Sequence, residues 1–232
     1  MGPSTGSKLG AGVPEIAIAV DGPGSSGKGT VARRVAEVLG YQFVDTGAMY
    51  RAVGLFALRR GVALDDAAAT AAIAEGLRFR FAFEEGKLRV WADDEDVTTQ
   101  IRGEAVGAAA SAVATHPSVR TALLGLQRAL GAAGGVVMDG RDIGTVVLPD
   151  AGLKVYLDAS LDERARRRAL ESPGRSFAEV RDELAARDHQ DSTRAVAPLR
   201  CADDAVRLDS TGLAVDEVVA RIVALANDRR GR

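Results

Sequence analysis

The chain has 232 residues, 47% hydrophobic and 27% charged, with a formal net charge of −2. This length and composition suit one soluble globular domain with a full core and room for small inserts, and they supply no overall basic field to draw the protein onto nucleic acid. No run of about 18 apolar residues occurs, so no membrane span is expected.

The first 15 residues, small and polar, lack the apolar centre of a signal peptide and read as a disordered tail, 1–15. Ile16 to Val20 is a short apolar run ending in Asp21-Gly22, the pattern of a buried parallel strand. A glycine-rich loop follows, and apolar spacing from Thr30 to Leu39 predicts a helix closed by Gly40. Tyr41 to Val44 reads as a second strand and Ala48 to Arg60 as a second helix. Strand, loop, helix and strand in that order is an α/β signature.

The rhythm breaks at Leu77 to Ala92, where apolar and charged residues alternate about a Glu85-Gly86 turn. An antiparallel hairpin with one wet face is expected there, inside an insertion of roughly 66–102. Its aromatics, Phe79, Phe81, Phe83 and Trp91, are read as a small local core in preference to a base-stacking platform. Two alanine-rich helices follow, near 103–115 and 117–131. Val136 to Met138 is a third core strand, leading into Asp139-Gly140-Arg141-Asp142. Leu153 to Leu157 is a fourth. Leu161 to Leu170 and Phe177 to Ala186 are helical, joined by Ser172-Pro173-Gly174-Arg175. Ala205 to Leu208 is a fifth strand and Val215 to Ala226 a closing helix.

Cys201 is the sole cysteine, so no intrachain disulfide forms, which suits a reducing cytoplasm. His116 and His189 stand at no metal-ligand spacing, and no zinc site is expected. Of the 30 basic residues only Lys8, Lys28, Lys87 and Lys154 are lysines. Arginine offers a planar fork for phosphates and base edges, so its positions merit individual reading.

The loop after the first strand carries Gly22-x-x-x-x-Gly27-Lys28, a phosphate-binding spacing made specific by its place between an apolar strand and a helix. Its backbone N–H groups, over Gly22, Pro23 (which itself has none), Gly24, Ser25, Ser26, Gly27, Lys28, Gly29 and Thr30, can converge on phosphate, aided by the helix start. Lys28 can bridge β- and γ-phosphates. Gly29 stands where the loop usually has a hydroxyl that ligates Mg²⁺. The metal is then expected on phosphate oxygens and waters, with carboxylates behind the waters, an arrangement Mg²⁺ tolerates because it dehydrates reluctantly. Thr30 is left to bond a phosphate nearer the nucleoside.

GPGSSGKGT resembles the loop of nucleoside monophosphate kinases. With DTGAMYR at 45–51, MDGRDIGTVVLPDA at 138–151, RDHQDSTRAVAPL at 187–199 and LDSTGL at 208–213, the chain from about Ile16 to Ala226 is similar to the bacterial cytidylate kinase family. The resemblance implies a P-loop kinase fold, with a five-stranded parallel sheet flanked by helices. Its core is 16–65 and 103–232, its small antiparallel NMP-binding insertion 66–102, and its helical lid 168–192. It implies ATP as donor, CMP and dCMP as acceptors, Mg²⁺ as cofactor, and a cytoplasmic monomer that binds neither nucleic acid nor membrane.

Residue by residue, the resemblance puts Arg51 and Arg141 on the acceptor phosphate and Asp139 behind the Mg²⁺ waters, in place of a helix-cap or turn role. It puts Asp142 and Arg120 on the cytosine edge, with Ser111 assisting and Thr46 near the base. Arg187 and Asp191, four apart and otherwise an ordinary ion pair on one helix face, fall on the sugar. Arg194 reaches the acceptor nucleotide and phosphates. Arg164, Arg167 and Arg168 open the arm over ATP, Arg168 as a phosphate clamp; the competing reading makes them a solvated ion-pair surface with Glu163 and Glu171. A kinase for UMP, AMP or shikimate on the same fold, and a nucleotide-dependent switch, are the other functional readings.

Overall fold

The computed structural model describes residues 15–84, 87–171 and 174–231. The Glu85-Gly86 turn, Ser172-Pro173, residues 1–14 of the expected tail and the Phe83 side chain lie outside the described residues.

Five short apolar segments form one sheet: β1 (Ala17–Asp21), β2 (Gln42–Asp45), β6 (Val136–Gly140), β7 (Leu153–Asp158) and β8 (Val206–Asp209). Their order is β2-β6-β1-β7-β8, and every pairing is parallel. The central strands have no polar face. Ile18, Val20, Val44, Met138, Leu153 and Leu157 are fully or almost fully buried, as expected of a sheet covered on both sides.

The covering helices are α1 (Lys28–Leu39), α2 (Thr46–Arg59), α4 (Glu104–Val113), α5 (Pro117–Gly131) and α8 (Val215–Arg230). α1 packs on α8 and α2 on α4, and Ile222 of α8 is fully buried in the shared core. Two further helices, α6 (Leu161–Glu171) and α7 (Phe177–Thr193), pack on each other round Ala165, Val180 and Leu184. α7 runs on past Ala186, where its apolar pattern ends. Its last two turns carry Arg187, Asp188 and Asp191, whose spacing is therefore truly helical.

The hairpin exists as β3 (Phe79–Glu84) and β4 (Lys87–Ala92), joined by a two-residue third strand, β5 (Glu95–Asp96), in an antiparallel sheet of order β3-β4-β5. Leu88, Val90 and Ala92 face inward and are buried. Phe79 and Phe81 stack at 6.3 Å and pack on the main core, whereas Trp91 lies under the Arg80 guanidinium at 3.5 Å. The local-core reading holds for Phe79 and Phe81; Trp91 is on the other face. The same segment begins with a helix the sequence pattern did not reveal, α3 (Ala67–Gly76), which packs on α5. Asp66 caps it by accepting from the amides of Ala68 and Ala69, but its alanines give no clear stripe. No helix among the described residues is long and apolar enough to cross a membrane.

The strand order reverses beside β1, and the loops at the carboxyl ends meet there, the usual location of a ligand crevice in such sheets. Gly22 makes this corner. Its φ is +155°, and a Cβ there would lie 2.1 Å from the Leu157 carbonyl oxygen, a backbone atom that cannot swing aside. Gly22→Ala is expected to lower stability by more than about 2 kcal/mol in urea unfolding. Gly40→Ala, at φ +70° with nothing within 4 Å, should cost only about 1 kcal/mol, from backbone strain alone.

Candidate active site

The loop Gly22–Gly27 wraps the start of α1, and Gly27 enters the helix at φ 86°. Lys28 is the first helical residue, not a loop residue, and its side chain folds back so that Nζ donates to the Pro23 carbonyl at 3.0 Å. From β6, Asp139 comes up beside it; Gly29 supplies the room, because a Cβ there would stand 3.3 Å from Asp139 Oδ2. Burial penalises both charges, pushing the Asp139 carboxyl up and the Lys28 ammonium down. Asp45 adds to the first shift and Arg141 to the second, while Lys28 and Asp139 oppose each other's shift. Asp139 Oδ1 is buried without a hydrogen-bond partner, as is Ser26 Oγ.

A cleft of about 790 Å³ opens above this pair. Gly24, Ser25, Gly27, Lys28, Gly29 and Thr30 line one end of it, whereas Gly22, Pro23 and Ser26 of the same loop are not among its lining residues. From the second strand and helix come Thr46 and Arg51. Thr46 Oγ1 donates to the Asp139 carbonyl at 2.7 Å, so its hydroxyl is already engaged. Arg51 donates to the Ile101 carbonyl at 3.0 Å, and burial lowers its pKa while Asp45 resists.

The opposite wall is an alternating chain of charges. Arg120 Nη2 meets Asp142 Oδ2 at 2.5 Å, and both are buried. Arg194 reaches the other Asp142 oxygen at 3.4 Å and Asp191 Oδ1 at 3.5 Å. Asp191 Oδ2 accepts from Arg141 Nε at 2.8 Å. Burial works against the Asp191 charge, yet Arg141 and Arg187 keep its carboxyl below the usual range. Arg187 is lowered to about 10 by burial and by Arg141, and its Nε is buried without a partner. Ser111 lines the same wall, and its carbonyl accepts from Gln190 Nε2 at 3.1 Å, tying α4 to α7.

Thus the structure gathers into one cleft Thr46, Arg51, Ser111, Arg120, Arg141, Asp142, Arg187, Asp191 and Arg194, with Lys28 and Asp139 at its floor. Arg168 also lines it, loosely paired to Glu171 at 3.4 Å. The three arginines of α6 do not act as one surface. Arg164 is buried beneath the loop, and Arg167 is tied to Glu163, Ser26 and Ser210. The solvated ion-pair reading fits Arg168, in its exposed pair with Glu171, and their neighbour Arg166, which bonds Glu163 in the open. Tyr50 was missed. It lines the cleft with the Arg120 guanidinium 5.5 Å from its ring centre, and nothing in its spacing marks it out.

The cytidylate kinase family profile matches residues 18–228 of the chain. The chain belongs to the cytidylate kinase family. A cytidylate kinase of a Geobacillus species is 48% identical over 220 residues, covering 93% of this chain and 98% of that one. One from Desulfitobacterium hafniense is 49% identical over 218 residues, 92% of this chain and 94% of the relative. Among solved structures, an uncharacterised protein from Eubacterium ventriosum aligns with a TM-score of 0.53 at 12% identity, over 92% of this chain and 99% of that one, a likeness of fold alone.

Below the loop sits a carboxylate that holds backbone. Asp21 accepts from the amides of Ile143 and Gly144, each at 2.8 Å. These belong to a π-helical turn, Ile143–Val147, directly after Asp142. Burial pushes the Asp21 carboxyl up to about 6 although both amides favour its charge. A raised carboxyl stabilises the fold most below its unfolded pKa, and that contribution is lost as pH rises through about 6. Asp21→Asn removes this dependence. From pH 4 to pH 8 the stability of wild type relative to the variant should fall by about 2–3 kcal/mol, read as paired urea midpoints.

Proposed function

We propose that the chain transfers the γ-phosphoryl group of ATP to CMP, giving ADP and CDP, as a phosphotransferase with a phosphate acceptor. One observation supports this above the others: a carboxylate and a guanidinium, Asp142 and Arg120, face each other buried in the acceptor end of the cleft. Cytosine presents an amino donor beside two acceptors, N3 and O2. The carboxylate answers the first and the guanidinium the others. Uracil reverses the first contact, setting O4 against Asp142. Arg194, also on Asp142, steadies the carboxylate as the Arg120 contact is shared with the base.

In-line transfer between two phosphates needs alignment and charge neutralisation more than a strong base. Arg51 and Arg141 take the acceptor phosphate, Lys28 the transferred group, and Arg168 and Arg194 close on it. Lys28 carries a burial penalty on its charge, which an arriving phosphate relieves. Mg²⁺ suits the site: Asp139 sets one carboxylate oxygen, Oδ2, beside Gly29 and keeps the other, Oδ1, without a hydrogen-bond partner, and such a hard acceptor is fitted to hold the waters of the ion. When bound, the ion neutralises charge on phosphate oxygens. Arg187 and Asp191 hold the sugar, with dCMP as a second acceptor. The insertion 66–102 sends Leu88, Thr98 and Thr99 to the cleft and acts as the acceptor-binding element. The segment 168–192 acts as the lid that excludes water. A single cysteine suits the cytoplasm, and a monomer suffices because both ends of the cleft come from one chain.

The reading is tested by ADP production from Mg-ATP with CMP, dCMP, UMP, AMP, GMP and shikimate against a no-acceptor blank. Strong turnover with CMP and dCMP and weak turnover with UMP is expected; turnover at the blank for every acceptor would reject it in favour of a switch. Lys28→Ala should reduce kcat by about 10²–10³, the scale of losing one preorganised charge contact. Asp142→Ala should shrink the CMP-over-UMP ratio of kcat/KM by about 5–150-fold, equivalent to roughly 1–3 kcal/mol for a mispaired buried group. Unchanged selectivity would remove Asp142 from base recognition.

A further inference from the structure

Arg164 lies outside the cleft yet touches both halves of its machinery. Its side chain, 7% exposed, leaves the first turn of α6 and runs beneath the phosphate loop. Nε donates to the Ala159 carbonyl at 3.0 Å, at the end of β7. Nη1 donates to the Gly24 carbonyl at 3.2 Å and meets Asp188 Oδ2 on α7 at 2.7 Å. One rigid fork is thus bonded to the sheet, the loop and α7.

The loop contact has a consequence for phosphate binding. A trans peptide sets its C=O and N–H in opposite directions. A Gly24 carbonyl turned down to Arg164 turns the Ser25 N–H away from Arg164, and Ser25 lines the cleft. Ser25 also holds φ 59°, a left-handed conformation that a residue with a side chain keeps only when its surroundings impose it.

The α7 contact has the matching consequence for the acceptor. Leu184, Asp188 and Asp191 recur at helical spacing and form the stripe of α7 that faces the loop and its neighbours. Leu184 Cδ2 comes within 3.4 Å of where a Cβ on Gly24 would be, Asp188 takes Arg164, and Asp191 takes Arg141. Arg187 and Asp191, on the same two turns, face the cleft.

We infer that Arg164 and Asp188 are a positioning pair that couples the two nucleotide sites, the guanidinium fixing the Ser25 amide for donor phosphate while its bond to Asp188 sets the α7 turns that receive the acceptor. The inference rests on the kinase reading above. Donor binding that orders the loop orders α7 through this bond, and by linkage acceptor binding must order the loop to the same extent.

The test is calorimetric titration of the full chain with CMP, with and without saturating Mg-AMP-PNP, and with AMP-PNP alone. In wild type, bound AMP-PNP should tighten CMP by about five-fold or more. Asp188→Asn, nearly isosteric, should bring that factor toward one while AMP-PNP alone binds within about two-fold of wild type, since the loop contact survives. Arg164→Lys should lose the coupling and also weaken AMP-PNP alone by about three-fold or more, because an ammonium does not reproduce a fork on three acceptors. A generally loosened fold would instead lower both affinities in Asp188→Asn and leave their coupling intact. Wild-type coupling in both variants, or none in wild type, overturns the inference. If Arg164→Lys does not fold by circular dichroism, Asp188→Asn decides alone. A wild-type chain that neither binds CMP nor makes ADP from it would overturn the kinase reading; CMP-dependent turnover with unchanged coupling would overturn only the pair.

Discussion

Every strand of the main sheet ends in an aspartate or one residue after it: Asp21, Asp45, Asp139, Asp158 and Asp209. Parallel pairing puts all five on the same side of the sheet. That crowding of carboxylates is the constraint the rest of the molecule answers. Asp21 is met by two amides, Asp45 by the amide of Ala48, Asp158 by that of Ala159 and Asp209 by that of Thr211. Asp139 alone of the five keeps a buried oxygen without a hydrogen-bond partner, and Lys28 stands beside it. The four answered carboxylates fix loops. The fifth faces Lys28 at the floor of the cleft.

Around this edge the molecule holds its cations against its own carboxylates. Arg120, Asp142, Arg194, Asp191 and Arg141 form a continuous series of alternating charge. Buried arginines without anions would be costly; here internal carboxylates supply them. Under the proposed assignment each carboxylate has two roles, one toward the substrate and one toward the fold.

The α/β order, the loop and most element positions were legible because apolar runs of four to six residues between glycine-rich turns admit few alternatives. α3 was not, since an alanine helix buries little on any one face and its start depends on a single cap, Asp66. The end of α7 was hidden for another reason. Arg187-Asp-His-Gln-Asp191 has no apolar stripe, and ion pairs to Arg164 and Arg141 do the anchoring that side-chain burial does elsewhere. Spacing alone placed Arg187 and Asp191 together, but not the partner each faces. In α6 the row Arg164, Arg166, Arg167, Arg168 reads as uniform charge, yet successive residues are turned by about 100°. One is buried, one bathed in solvent, one tied to Ser210 and one at the cleft, and the sequence carries no mark of which is which. The Arg120–Asp142 pair became legible only through resemblance, since the two are 22 residues apart and meet only in the folded chain.

The bond between Arg120 and Asp142 is a contact that the cleft makes with itself. Under the proposed assignment, a base entering there competes with an internal salt bridge, so it gains only the difference between its contacts and those it replaces. Compounds that offer hydrogen bonds to one partner alone strand the other in a dry site, and adding affinity elsewhere on such a molecule does not repair that loss. A ligand made for this protein has to be judged as a two-sided exchange, and the cytosine edge is one of the few small aromatic surfaces that completes both sides at once.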